Sequence, residues 1–324
     1  KKLNVALAYN VKPESDSFPA AVPSIVNNRS QNLEPQLDTY AEWDTWETIN
    51  AVKDEIALHN NVTLIEANED AYNKLREVKP DIVFNIAEGE FGVSREAQIP
   101  AMLDMLQIPY TGSDALTLAI CLDKARTKEI LSYYKVPTAK FFVANEVEDA
   151  EKQNLEFPLM VKPISEGSGK GIYASSFVND KEELKREINR ITSEYNQPAL
   201  VEEFLSGREF TVAILGNNGD ARILPAIEIR FDKYPAGVKP LYSYEAKWIL
   251  DTKESDFNVF DCPAKIDAEL ERKINKVCLD TYRVLKCRDW SRIDLRLDKN
   301  GEPSIIEINP LPGIMPDPTE NSSF

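Results

Sequence analysis

Histidine is nearly absent from this chain: His59 is the only one among 324 residues. Imidazole general-base chemistry and histidine-ligated metals are therefore all but excluded, leaving lysine, arginine and carboxylates to do any catalysis. The four cysteines, Cys121, Cys262, Cys278 and Cys287, have no CxxC spacing, so neither a zinc site nor a disulfide framework is indicated. They read as buried, reduced thiols. Positive charge is also short, with 38 Lys and Arg against 54 Asp and Glu and a net charge of −16. Nucleic acid and anionic membranes both call for a basic surface, so neither is expected as a partner. No apolar run approaches the ~20 residues of a membrane span, and Leu3 to Tyr9 is too short for a signal-peptide core. A cytoplasmic location is expected. GxGxxG is missing, which speaks against a dinucleotide site. So is a Walker A loop, which would need glycine in place of Ile164 and Ser or Thr in place of Gly171.

What is present is a hydrophobic fraction of 43%, that of a globular chain long enough for two or three domains. Leu3 to Tyr9 reads as a buried strand, followed by a long polar segment from Asn10 to Gln36. A loop of that length is more often functional or mobile than merely connecting. Asp44, with Glu47 three residues on, has the look of a capping box opening a helix. Val62 to Glu66, Asp70 to Val78 and Asp81 to Ile86 then read strand, helix, strand. This alternation predicts a parallel sheet that opens to ligands at its carboxyl end. Glu88-Gly-Glu-Phe-Gly92 follows the third strand at that end, though a plain turn explains it equally well. Ser94 is placed to cap a helix reaching Leu106, and Asp114 to Tyr134 reads as helical, with a basic cluster from Lys124 to Lys128.

A second unit starts near Thr138. Phe157 to Pro163 reads as a strand, Ser165-Glu-Gly-Ser-Gly-Lys-Gly171 as a flexible loop and Ile172 to Ser176 as a returning strand. Lys162 sits inside an apolar run, where an unpaired ammonium is costly, so an anionic partner is expected, with phosphate the natural candidate. The glycine loop would offer backbone N–H groups to the same phosphate. Asp180 to Tyr195 reads as a helix, and Ala199 to Leu205, Glu209 to Leu215 and Arg222 to Ile229 as strands. Tyr242 to Trp248 is a further segment, and Ile266 to Leu285 a long amphipathic helix.

The last stretch, Asp289 to Asn309, holds Asn300-Gly301, the dipeptide that best closes a two-residue hairpin. With Lys299 facing Glu302, Asp294 falls opposite Glu307 and Arg292 opposite Asn309, all on one face. Ile293, Leu295, Leu297, Ile306 and Ile308 fall on the other. Two opposed carboxylates call for a cation between them, and Asp, Glu and an Asn carbonyl are hard oxygen ligands suited to Mg²⁺. A solvated ladder of Asp, Arg and Glu ion pairs is the alternative. The Pro/Gly bend after Asn309 favours the metal, because it ends beside it and can aim N–H groups at an oxyanion.

Taken together, Pro109-Tyr-Thr-Gly-Ser113, Asp123-Lys124 with Thr127-Lys128, Met160-Val-Lys-Pro163 with Glu166-Gly-Ser168, Val201 to Leu205, Gly207 to Thr211, Tyr244-Glu-Ala-Lys247, Arg292-Ile-Asp294 and Glu307 to Gly313 resemble the ATP-grasp ligases of the D-alanine–D-alanine ligase family. The likeness runs from about Asp81 to Gly313. It implies an α/β, three-domain ATP-grasp fold: an N-terminal parallel α/β domain (1–113), a central α+β lid (114–205) and a C-terminal α+β domain with an antiparallel sheet (206–324). It also implies roles. Lys124 and Lys162 would contact the α- and β-phosphates of ATP, the Ser168 loop would close over them, and Lys247 would reach the γ-phosphate. Glu202, Glu203 and Leu205 would frame adenine, and Glu209 the ribose. Asp294, Glu307 and Asn309 would hold two Mg²⁺ ions, while Arg292 and the N–H groups near Gly313 would stabilise an oxyanion. The implied reaction makes an acyl phosphate from a donor carboxylate and passes the acyl group to an acceptor amine, as in peptidoglycan precursor synthesis. Related ligases are commonly dimers, so a homodimer is expected.

Departures from the family pattern concern the amino-acid substrates. The family's first-strand Gly-Gly-x-Ser-x-Glu is replaced by Ala8 to Glu14, with Glu14 the candidate for its glutamate. His-Gly after the third strand is Glu88-Gly89, where a carboxylate suits an amino group. Ser322 and Ser323 are candidates for the serine that holds the acceptor carboxylate. A ligase for another amino-acid pair, in secondary metabolism, and a catalytically silent ATP-binding scaffold remain alternatives.

Overall fold

The apolar run after Lys2 forms the middle strand of a three-stranded parallel sheet in the computed structural model, which describes residues 2–13, 40–234, 241 and 259–314. Glu14, Lys247, Ser322 and Ser323, most of the polar segment after Asn10, and the Tyr242 to Trp248 segment lie outside the described residues. Strand β1 (Asn4–Tyr9) leads to helix α1 (Trp46–Ala57), β2 (Asn61–Glu66), α2 (Ala71–Val78), β3 (Ile82–Asn85) and α3 (Gln98–Leu106). The sheet order is β2-β1-β3. β1 is buried along nearly its whole length, which is why it reads as an unbroken apolar run rather than an alternating one. Thr45, not Asp44, caps α1, its hydroxyl accepting from Thr48 N at 3.3 Å. The Asp44 backbone instead pairs with the chain beyond β1, bonding Asn10 O and Lys12 N. Ser94 precedes a short 3-10 turn, and no side-chain cap is formed.

The expected helix from Asp114 to Tyr134 is two helices, α4 (Ala115–Leu122) and α5 (Lys124–Tyr133), broken at Asp123, where ψ is 99°. The Asp123 side chain caps α5 by accepting from Ala125 N and Arg126 N at 3.0 and 2.9 Å. An aspartate that satisfies helix-start N–H groups competes with continued helix, and here it wins. The break places Lys124 and Lys128 one turn apart on the buried side of α5.

A four-stranded antiparallel sheet follows, made of β4 (Phe141–Ala144), β5 (Leu159–Pro163), β6 (Phe177–Val178) and, after helix α6 (Lys181–Glu194), β7 (Ala199–Glu203), in the order β4-β7-β5-β6. The returning strand is Phe177–Val178 rather than Ile172 to Ser176, which turns through 3-10 geometry at Ala174–Ser176. Leu159, Val161, Ala199 and Val201 pack against Leu184, Ile188 and Ile191 of α6. Strand alternation sends Lys162 and Glu202 to the opposite face.

The third sheet contains β8 (Glu209–Leu215), β9 (Arg222–Ile223), β10 (Ile227–Ile229), β11 (Phe260–Asp261) and, after helix α7 (Ala268–Val284), β12 (Trp290–Leu297) and β13 (Pro303–Asn309). Its path is β11-β10-β8-β12-β13, with β9 paired to β8, so Arg222 to Ile229 is two short strands, not one. One face packs on Ile274, Val277, Cys278 and Tyr282 of α7, joined by Cys121 and Leu131 from α4 and α5. Cys121, Cys278 and Cys287 are buried free thiols, but Cys262 is exposed, against expectation. Among the described residues no helix is long and apolar enough to cross a membrane.

The β12–β13 hairpin turns differently from expectation, yet its functional register holds. Asp298 N bonds Glu302 O at 2.9 Å and Gly301 takes φ +80°, so three residues, not two, make the turn and only its glycine needs the left-handed conformation. Leu297 then pairs Pro303 and Leu295 pairs Ile305, but the register shifts between Asp294 and Leu295. The bulge adds one residue on β13 and cancels the offset of the turn. Asp294 is thereby opposite Glu307 and Arg292 opposite Asn309. The cost is a corrected core: Ile305, not Ile306, is fully buried beside Ile293 and Ile308.

Candidate active site

The outward face of the β12–β13 hairpin meets the carboxyl end of the parallel sheet and the loop after β5 around a cavity of about 290 Å³. Lys124, Ser168, Arg292, Glu307, Asn309 and Gly313 line it, and so does Glu88. The sequence thus named residues from distant segments that the fold brings to one place. Asp294 lies on the same hairpin face, its Oδ2 within 3.3 Å of Arg292 Nη2 and 3.4 Å of Asn309 Nδ2. Of the Asp, Arg and Glu ladder weighed against a metal, the Arg292–Asp294 pair is present, whereas Glu307 pairs with Lys124.

The lysine expected to need an anion has one. Lys162 Nζ lies 2.6 Å from Glu202 Oε1, and Lys128 Nζ lies 2.7 Å from Glu202 Oε2. Burial pushes the Glu202 carboxyl up, but the two ammonium groups outweigh it and hold it at about 2. Burial likewise works against the charged Lys162, and Glu202 with Glu307 leaves it raised on balance. Lys128, the most enclosed of the three, is lowered because burial and neighbouring Lys162 together exceed the help of Glu202. Lys124 Nζ stands 3.7 Å from Glu307 Oε2 and donates to Glu166 O. Burial tends to raise Glu307, yet Lys124, Lys162 and Arg292 hold it below its ordinary value. Glu209 of the facing sheet goes the other way, raised by burial to about 7 despite Arg296, whose Nη1 is 3.3 Å from it. Glu203 sits at the end of β7, 3.3 Å from Lys140, and half-buried Leu205 follows it in the crossing to β8.

Asp294, Glu307 and Asn309 offer hard oxygens on one partly exposed face, with side-chain exposures of 19% for Asp294 and 24% for Glu307. Among the described residues no group of three or more His, Cys, Asp or Glu is placed to hold a metal; this set is two carboxylates and an amide. Such a set fits an ion that completes its shell with water and substrate phosphate, as Mg²⁺ does.

Sequence reasoning missed the opposite wall. Glu42, Asp44, Glu47 and Glu96 line the same cavity with Lys12. Asp44 is raised to about 7 by burial, against the pull of Lys12. Glu96 is raised to about 8 by burial and by Glu42, and Glu88 by burial, Glu96 and Glu42. Among the described residues neither Glu88 nor Glu96 has a hydrogen-bonded or ion-paired partner. Asp44 looked like a helix cap and Arg95-Glu96 like a helix start, so local pattern hid them. Glu88 and Glu96 follow the carboxyl end of β3, which is the signal that could have found Glu96; Asp44 comes beside β1 only through a bridge to Val11.

The profile of the D-ala D-ala ligase C-terminus matches residues 129–324. An uncharacterized protein, y4sG, of Sinorhizobium fredii is 36% identical over 233 residues, 72% of this chain and 66% of that protein. A D-alanine–D-alanine ligase of Pelotomaculum thermopropionicum is 33% identical over 261 residues, 77% of this chain and 76% of the relative. In structure, D-alanine–D-alanine ligase from Bacillus anthracis complexed with ATP superposes with TM-score 0.64 at 22% identity, covering 97% of this chain and 88% of that one. VanG D-Ala:D-Ser ligase from Enterococcus faecalis does so with TM-score 0.67 at 21% identity, covering 97% and 91%. Fold and relatives together define an ATP-dependent ligase with the ATP-grasp architecture. Within that class, the chain belongs to the D-alanine–D-alanine ligase family.

Proposed function

We propose that this chain joins a carboxylate to an amine through an acyl phosphate at the expense of ATP, and that the cavity between β12–β13 and the β5 loop is where the two substrates meet the nucleotide. The carrying observation is the convergence of Lys124, Arg292, Glu307, Asn309 and Gly313 on one space. In this reading Lys124 and Lys162 hold the α- and β-phosphates, Lys247 holds the γ-phosphate, and the Ser168 loop covers them. Glu202 gives adenine its backbone, because its side chain is taken by two lysines, and Glu203, Leu205 and Glu209 complete the nucleotide site. Asp294, Glu307 and Asn309 hold two Mg²⁺ ions, which neutralise phosphoryl charge when bound. Arg292 and N–H groups near Gly313 bind the oxyanion of the tetrahedral intermediate, a contribution of about 3 kcal/mol per donor in other enzymes. A division into domains at 1–113, 114–205 and 206–324 gives every domain its own sheet. A cytoplasmic homodimer is the assembly we assign, to be checked by light scattering.

D-alanyl-D-alanine for peptidoglycan is the first product to test. The acid-rich wall favours a second reading, in which one substrate carries an additional amino group: Glu88 and Glu96 would receive it. ADP release across D- and L-amino acids, alone and in pairs, with diamino acids included, separates the cases. Stimulation by D-alanine alone supports the first reading; stimulation by unlike or diamino pairs supports the second. ATP binding with no stimulation by any pair would refute both and leave an ATP-binding scaffold. Glu14, Ser322 and Ser323 remain candidate substrate contacts, tested by their effect on KM in the same assay.

A further inference from the structure

Arg296, toward the end of β12, is a cation almost wholly enclosed, with 3% of its surface exposed. Its guanidinium carbon lies 4.5 Å from the ring centre of Phe204 and 4.7 Å from that of Phe231. Phe204 belongs to the crossing from β7 to β8, between Glu203 and Leu205, and Phe231 to the short turn after β10. Arg296 Nε donates to Gly207 O in that crossing at 2.9 Å, and Nη1 stands 3.3 Å from Glu209 Oε2. Pairing of β8 with β12 puts Glu209 directly opposite Arg296. The crossing is also held to β12 by its backbone, since Gly207 N donates to Leu297 O and Leu297 N to Arg208 O, both at 2.9 Å. A Cβ on Gly207 would lie 2.6 Å from both Cβ and O of Leu297, so this close approach requires glycine.

We propose that Arg296 is a positioning residue for the nucleotide's sugar: it fixes Glu209 in the orientation that accepts from the ribose hydroxyls, so the preference for a ribonucleotide depends on it. The inference rests on the proposed reading of Glu209 as the ribose acceptor, though the geometry stands without it. The Glu209 side chain is 12% exposed, and a carboxylate so far removed from water needs a counter-charge. A guanidinium between two rings is held by its faces, which leaves its edge in one plane. That edge carries the Nε and Nη1 groups that meet Gly207 O and Glu209. Turning the head to follow Glu209 elsewhere would forfeit both ring contacts, so the acid is held ready and less ordering is left to do when a nucleotide binds. Lysine could supply the charge but neither the two flat faces nor the fork of donors. Arg296 itself need not touch the nucleotide. With Arg296 altered, the backbone bonds of Gly207 and Arg208 to Leu297 still hold the crossing, so the loss falls on Glu209.

The test is calorimetric titration of the full chain, with Mg²⁺ present, by ATP and by 2′,3′-dideoxy-ATP, which lacks both hydroxyls. The unaltered chain should bind ATP about tenfold more tightly than the dideoxy analogue. Arg296→Lys and Arg296→Met should each weaken ATP about tenfold and the analogue less than about twofold, so that the preference collapses. Arg296→Met/Glu209→Gln should bind ATP no worse than Glu209→Gln alone, because the arginine acts through the acid. Phe231→Leu removes one ring and leaves the ion pair; it should show the same pattern with about a threefold loss, and it decides the matter if the Arg296 variants fail to fold. Equal losses for both nucleotides in folded variants, with the preference intact, would mark Arg296 as merely structural and overturn the proposal alone. No preference for ATP in the unaltered chain would refute the ribose reading of Glu209 and the proposal with it.

Discussion

The two walls of one cavity treat carboxylates in opposite ways. On the wall built by α5, β7 and β13, each acid has a lysine or arginine to answer it: Glu202 has Lys128 and Lys162, and Glu307 has Lys124. Both acids are held below their ordinary values. On the wall built by the ends of β1 and β3, Asp44, Glu88 and Glu96 are all raised, by burial and, for the two glutamates, by neighbouring carboxylates, beyond what Lys12 and Arg95 return; Glu42, clamped by Arg95, is the exception and is lowered. The first wall is already neutralised by its own lysines; in the proposed reading, phosphate would take over part of that pairing. On the second, burial disfavours the charged form, so Asp44 and Glu96 hold their protons up to about pH 7 and 8. In the reading proposed above, the lysine-rich wall faces ATP and the acid-rich wall faces the amine substrate.

The contrast can be broken at the compensated wall first. Glu307→Ala should cut turnover by about a thousandfold or more and leave the circular-dichroism spectrum unchanged, because the residue serves the site rather than the core. Near-normal turnover would remove Glu307 from the metal set. Lys162→Ala leaves Glu202 with Lys128 alone and should lower kcat by about a hundredfold, with a higher KM for ATP in steady-state kinetics. On the surplus wall, Glu88→Gln should raise KM for the amino substrate about tenfold and leave ATP binding by calorimetry as it was. The smallest effect is on stability. Folded Asp44 keeps its proton up to about pH 7, whereas its ordinary value is 3.8. The folded state therefore binds more protons across that window, and stability falls as pH rises through it. Asp44→Asn should flatten that stretch of the melting-temperature profile and raise its alkaline end.

Much of the lysine-rich wall was legible in the chain because it depends on unusual local choices: Lys162 inside an apolar run, and acids and an amide alternating with isoleucines toward a Pro/Gly bend. The parallel sheet was legible from its strand–helix alternation. The β12–β13 register came out right for a reason the sequence did not display, since the turn is one residue longer than Asn300-Gly301 suggests and the bulge takes the residue back. Periodicity cannot report a pair of compensating offsets. Asp123 was read as the interior of one helix, although an aspartate before Lys124 is as good a start signal as a continuation. Glu42, Asp44 and Arg95 escaped because their partners are far along the chain: Gly167 is 125 residues from Glu42.

The bulge between Asp294 and Leu295 also separates the tip of the last hairpin from its working end. The one-residue offset of the turn at Lys299 to Gly301 is taken back at that bulge, short of the acids and the amide. That makes the tip a natural point for grafting a fluorophore or a short epitope: it is solvent-exposed and lies beyond the bulge from Asp294, Glu307 and Asn309.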